Sequence, residues 1–201
     1  MNFVPAIKQD AHLNYARLSY EIGNPYESVP NVLQAYASAY PNDNKEEIQS
    51  LLVDSYISSG NYQAAISLLE KSNDPKDKET YKKVAFYRGL ELFNELQYTD
   101  ALQYLTKAIA GSGSLSARAS YWAGESAYQL KDYKAAETYY TQFVNNPAAA
   151  KTEEYPKGFY GLAYSQFNQH NYASAIVNFE KYLKQSPKDN VWKHDAMLRL
   201  A

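Results

Sequence analysis

At 201 residues, 45% of them hydrophobic and 21% charged, the chain has the makeup of a folded protein, which excludes a disordered one. Lys and Arg number 20 against 22 Asp and Glu, and the net charge of −2 gives no electrostatic footprint for nucleic acid, which calls for a basic stripe. With no cysteine there is no disulfide, no thiolate metal site and no Cys nucleophile.

Tyrosine is the compositional anomaly, at 21 against 7 Phe and 2 Trp. A tyrosine packs its ring and keeps its hydroxyl wet, which suits a thin architecture in which little is fully buried. No apolar run approaches the ~18 residues of a membrane span. Met1-Asn2-Phe3 shows neither the basic nor the apolar region of a signal peptide.

Along the chain one pattern recurs five times: a tyrosine, two residues, then a small or branched residue. It stands at Tyr26-x-x-Val29, Tyr62-x-x-Ala65, Tyr98-x-x-Ala101, Tyr133-x-x-Ala136 and Tyr172-x-x-Ala175, with spacings of 36, 36, 35 and 39. A period in that range signals stacked supersecondary units, each unable to bury its apolar face alone.

The first unit is degenerate. Leu13, Ala16 and Tyr20 lead to Asn24-Pro25-Tyr26, then Val29, Leu33 and Pro41, with Pro30 tolerable in the first turn of a second helix. The second is the clearest: a helix over Gln49 to Ser59, a turn at Gly60-Asn61, a helix over Tyr62 to Ser72, and a stop at Asn73-Asp74-Pro75. Leu52, Val53, Tyr56 and Ile57 form a stripe of helical period, as do Ala65, Ile66, Leu68 and Leu69. The turn needs positive φ, which Gly60 supplies; Leu96, Lys131 and His170 replace it in the later units. Those units run Gly89 to Ala108, Trp122 to Phe143 and Leu162 to Tyr182.

Small residues (Gly89, Gly124 and Ala163 in first helices, Ala65, Ala101, Ala136 and Ala175 in second helices) are expected to let paired helices approach closely. The post-turn tyrosine is expected to plug the gap between one hairpin and the next. Asn73 to Thr80 and Asn145 to Lys157 read as longer loops, and Gly111-Ser112-Gly113-Ser114 as the most flexible joint. Met197, Leu200 and Ala201 fit the start of a sixth first helix, so the expectation is a piece of a longer array with an exposed apolar end open to self-association.

Chemistry-bearing constellations are missing. His12, His170 and His194 have no partner at zinc-like spacing, and Gly-Ser-Gly-Ser lacks the lysine of a phosphate loop. Glu46-Glu47 and Glu153-Glu154 read as helix N-terminal charges. The sequence therefore predicts no enzyme activity, no cofactor and no metal.

The recurring small residue, post-turn Tyr, Ala and aromatic or Leu positions resemble the tetratricopeptide repeat family, over nearly the whole chain. The resemblance implies an all-α, right-handed superhelical solenoid of antiparallel helix–turn–helix repeats. Its units would be 10–43, 46–75, 81–111, 116–148 and 156–188, with a partial sixth at 192–201. It also implies a non-enzymatic scaffold that holds a protein or peptide partner in a concave groove, with no nucleic acid and no membrane span. The groove positions carried over are Asp54 and Ser58, then Tyr87, Leu90 and Asn94, then Arg118, Tyr121, Trp122, Glu125 and Gln129, then Tyr160, Tyr164 and Asn168. Asn94 and Arg118 stand near the places of the family's carboxylate clamp, whose lysine and second asparagine are not evident. The run from Tyr121 to Tyr128 is similar to bacterial envelope members, which implies a periplasmic or outer-membrane-associated setting. A cytoplasmic scaffold or co-chaperone, or a regulatory module of a larger sensor or enzyme, are the rival readings.

Overall fold

A computed structural model describes residues 4–185 and 191–201. Among the described residues there are eleven α-helices, one short 3-10 helix and no strand. The chain divides within its fifth helix into two compact units, Met1–Val84 and Ala85–Ala201.

The first unit holds α1 (Val4–Ile22), α2 (Val29–Ala39), α3 (Lys45–Ser58) and α4 (Tyr62–Leu69), each packed on the next. Its core is the apolar stripe of each helix, including Leu13, Ala16, Leu33, Tyr36, Ile48, Leu52, Ala65 and Ile66. Arg17 ties α1 to α3 through a two-point pair with Glu47, at 2.7 Å from Nε and 2.6 Å from Nη2. Pro30 sits in the first turn of α2, where its missing N–H costs nothing.

Repeat one departs from the expected register. Tyr26 is 94% exposed and precedes the helix, because the Asn24 side chain accepts from the Tyr26 and Glu27 N–H groups and turns the chain there.

The second unit begins in α5 (Pro75–Asn94) and continues through α6 (Tyr98–Ala108), α7 (Ser114–Gln129), α8 (Tyr133–Asn145), a 3-10 turn (Ala149–Lys151), α9 (Tyr155–Asn168), α10 (Tyr172–Gln185) and α11 (Val191–Leu200). From α6 to α11 each helix packs on its successor, so the core is a row of neighbour interfaces. The expected close approaches are present. A Cβ on Gly124 would lie 2.9 Å from the Tyr140 ring, one on Gly89 would lie inside the contact distance of Leu105, and Ala101, Ala136, Ala163 and Ala175 are buried.

The turns inside the hairpins are one device used four times. Gly60, Leu96, Lys131 and His170 have φ of 72°, 63°, 61° and 61°. The next residue donates its N–H back across the turn, from Asn61 to the Tyr56 carbonyl (2.8 Å), Gln97 to Leu92 (2.8 Å), Asp132 to Ala127 (3.0 Å) and Asn171 to Gln166 (2.9 Å). That is the Schellman closure of a helix. The side chains of Asn61, Asp132 and Asn171 then cap the following helix by accepting from Ala64, Ala135 and Ser174.

Three expectations are corrected. The post-turn tyrosines pack inside their own hairpins: Tyr98, Tyr133 and Tyr172 meet Phe93, Tyr128 and Phe167 edge-on, at 5.3, 5.4 and 5.3 Å. Residues five apart across this turn face each other, so the ring closes the hairpin mouth.

The segment Asn73 to Thr80 is largely helical. Asp74 accepts from the Lys76 N–H at 2.8 Å and Pro75 opens α5; α4 ends earlier than expected, at Leu69, so the dipeptide read as its stop instead starts the next helix. Likewise Asn145 to Lys157 holds the 3-10 turn and the start of α9, with Pro156 in its first turn. The Gly-Ser joint ahead of α7 is pinned as well, since the buried Ser116 hydroxyl donates to the Gly111 carbonyl at 2.7 Å.

A tyrosine-lined recess as the candidate binding site

In the second unit, Glu125, Tyr128 and Gln129 of α7, Tyr140 of α8, and Tyr160 and Tyr164 of α9 surround a recess of about 200 Å³. Helical spacing supplies the α7 side: Tyr121, Glu125 and Tyr128 lie four and three residues apart, on one face. Gly161 completes the lining, and a Cβ there would lie 2.8 Å from the Tyr140 hydroxyl. Gly124 and Gly161 therefore hold the Tyr140 ring between α7 and α9, each by lacking a side chain.

The floor is a carboxyl. Tyr140 donates to Glu125 Oε1 at 2.9 Å, and the Tyr121 hydroxyl also bonds this side chain. Burial raises the Glu125 pKa above the usual carboxyl value, opposed by the hydrogen bonds from Tyr121 and Tyr140 and by the charge of Lys157. Burial first, and the neighbouring Glu125 second, push the Tyr121 and Tyr140 phenols up, so both remain donors.

The rim is organised by α11. Tyr160 donates to Asp195 Oδ2 at 2.8 Å and Tyr164 donates to the same oxygen. Arg199 Nε bonds the Tyr164 hydroxyl at 3.0 Å, and the Trp192 ring stacks on Tyr160 at 5.7 Å. Asn168 donates to the Tyr128 hydroxyl at 3.2 Å and to the Tyr164 carbonyl at 2.8 Å. Behind the recess, Asn178 donates to Gln166, and Gln166 and Gln169 donate to Glu137 at 2.9 and 2.7 Å, linking α10, α9 and α8.

Of the expected groove residues, the structure gathers Glu125, Gln129, Tyr160 and Tyr164 in this recess, with Asn168 beside it. Asp54 and Ser58 are exposed on α3 of the first unit, where the Ser58 hydroxyl turns back onto the Asp54 carbonyl. Tyr87 and Asn94 are exposed on α5. Arg118 pairs with Glu154 at 2.9 Å and lies over the Phe86 ring.

Tyr121 is corrected: at 5% exposure it belongs to the core beneath the surface. Trp122 is half buried, edge-on to Phe93 at 5.0 Å, and its indole N–H is buried without a hydrogen-bond partner. Adjacent helix positions point about 100° apart, so a small error of register exchanges core for surface.

Sequence reasoning missed Tyr128, Tyr140 and Asp195 as site residues. Glu125-x-x-Tyr128 carried a usable signal in its spacing. Tyr140 reads as core from sequence, and Asp195 gains its role only when α11 docks.

No group of metal-ligating side chains occurs among the described residues, and no described helix is long and apolar enough to cross a membrane.

Residues 88–153 and 158–189 match models of the tetratricopeptide repeat. The chain is a tetratricopeptide repeat protein. Solved structures with this fold include YrrB, a TPR protein with an unusual peptide-binding site, at a TM-score of 0.58 and 14% identity over 98% of each chain. BtubC from P. vanneervenii matches at 0.54 and 15% identity, over 96% of this chain and 79% of that one. MamA matches at 0.53 and 17% identity, over 88% and 91%. At these identities the likeness is one of fold. No curated protein sequence matches the chain.

Proposed function

We propose that this tetratricopeptide repeat protein is a non-enzymatic interaction module that takes a peptide segment of a protein partner, with the second-unit recess as an anchoring point. The observation that carries this reading is the recess itself. It presents tyrosine rings with one fixed carboxyl at the floor, the mix of apolar body and placed polar group that recognition sites use. The remaining first-helix positions Asp54, Ser58, Tyr87, Asn94 and Arg118 are proposed as further contacts. The fold it shares with YrrB, a protein with a peptide-binding site, supports the same direction.

Selection of a displayed random-peptide library on the full chain tests it. The expected result is enrichment of a sequence motif that Gln129→Trp, a bulky change at the exposed rim, weakens at least tenfold. No enriched motif, or binding indifferent to the rim, would overturn the reading. The similarity of the 121–128 run to envelope members supports an envelope setting. Fractionation of cells expressing the full-length gene tests that part, and retention in the soluble cytoplasmic fraction would reject it.

A further inference from the structure

We propose that the recess is a pocket for a single lysine side chain, supplied by the peptide partner, whose ammonium meets Glu125 between the rings of Tyr128, Tyr160 and Tyr164. This rests on the reading of the protein as a peptide-binding module and adds which residue of the peptide is read.

Three observations on the site carry it. The first is charge: the floor is a carboxyl, and no lysine, arginine or histidine is among the described lining residues, the charge of Lys157 reaching Glu125 from outside the lining. The second is the walls. Besides Tyr140, whose hydroxyl holds the floor carboxyl, the rings of Tyr128, Tyr160 and Tyr164 border the cavity, and aromatic faces attract a cation, most strongly where water is excluded. Their hydroxyls are already engaged, Tyr160 and Tyr164 with Asp195 and Tyr128 with Asn168; Trp192 stacks on one face of Tyr160 and Arg199 lies over one face of Tyr164, so each of these two rings has only its other face to offer a ligand.

The third observation selects lysine over arginine. Tyr140 and Tyr121 already take acceptor positions on Glu125, so a guanidinium fork, which needs both oxygens in one plane, is crowded, whereas an ammonium needs a single free lone pair. A recess of about 200 Å³ holds one long side chain and no folded element. Burial resists ionisation of Glu125, and an arriving ammonium favours it, so binding and ionisation reinforce each other.

The test is an NMR titration of the full chain with its tyrosine rings labelled. The probe is a capped Gly-Lys-Gly peptide, run beside peptides with Nε-acetyl-lysine, norleucine or arginine at the centre, and beside methylammonium. The expected result is a saturable shift of the Tyr128, Tyr160 and Tyr164 rings with the lysine peptide alone. Glu125→Gln, which keeps the shape, and Tyr128→Leu, which keeps the apolar bulk, should each weaken it at least tenfold. The absence of a saturable shift overturns the proposal, and so does equal binding of the acetylated or norleucine peptide. Equal binding of the arginine peptide overturns the choice of lysine, and methylammonium binding as tightly as the peptide overturns the peptide source. A motif without lysine enriched in the display selection would sink the lysine pocket and leave the peptide-binding reading intact.

Discussion

The Tyr140 hydroxyl donates to Glu125 Oε1 across 2.9 Å, so a phenol from α8 holds a carboxyl of α7 at the floor of the recess. Removing the hydroxyl alone, with Tyr140→Phe, leaves the ring between Gly124 and Gly161 and takes one bond from a half-buried carboxyl. The expected cost is about 1–2 kcal/mol. Urea unfolding followed by signals of the second unit checks it, and an unchanged midpoint would mean that water replaces the bond freely.

Gly161→Ala attacks the same ring from the other side. Its Cβ would arrive 2.8 Å from the Tyr140 hydroxyl, so either α9 moves off or the phenol swings away from Glu125. Overpacking of this kind costs about 1–3 kcal/mol. A crystal structure or ring NOEs of the variant should show the Tyr140–Glu125 contact lengthened.

Leu96→Gly and Lys131→Gly should stabilise the protein. Both residues hold φ near 60°, which costs an L-residue about 1–2 kcal/mol, while glycine returns about 0.4–1 kcal/mol through greater freedom when unfolded. The net gain is about 0–1.6 kcal/mol each, readable as a higher melting temperature. Gly60→Ala should lose a similar amount.

Asp195→Ala removes the acceptor shared by Tyr160 and Tyr164. Two phenols lose their partner and Arg199 its nearby counter-charge, an expected loss of about 1–3 kcal/mol in the docking of α11. Hydrogen exchange should accelerate in α11 and leave α7 unchanged; equal protection in both forms would contradict the role assigned to Asp195.

The two units should respond to acid with opposite sign. Glu125 has its folded pKa above 4.5, so the folded second unit binds the proton more tightly. Its contribution falls as pH rises from the unfolded value through the folded one, and Glu125→Gln should abolish that slope. Glu47 has its folded pKa below 4.5, first through its bonds from Arg17. That contribution is present above the unfolded value and is lost as pH falls through the folded one. Residue-resolved exchange on either side of the ordinary carboxyl value reads both.

The hairpins, their period and the four turn positions were legible because local chemistry states them. Even where glycine is replaced, Leu96, Lys131 and His170 keep the left-handed turn, since the closing backbone bond between the flanking helices determines it, with a following side-chain cap at Asp132 and Asn171. The role of Asp74-Pro75 was harder to read, because a breaker of one helix and an N-cap with N1 proline of the next are the same two residues. The recess was half legible. Glu125, Gln129, Tyr160 and Tyr164 followed from alignment of first helices, whereas Tyr121 and Asp195 depend on which way a helix is rotated and on what docks against it.

The shared turn bears on how this chain folds. The four hairpins from α3 to α10 are each closed by a Schellman bond between residues five apart, and in three of the four an Asn or Asp nucleates the next helix in the same stroke. Contacts between α6 and α11 also run to the next helix along the chain, so contact order is low. Such a chain has no obligatory starting point: a nucleus at any hairpin can spread outward, quickly and by several routes.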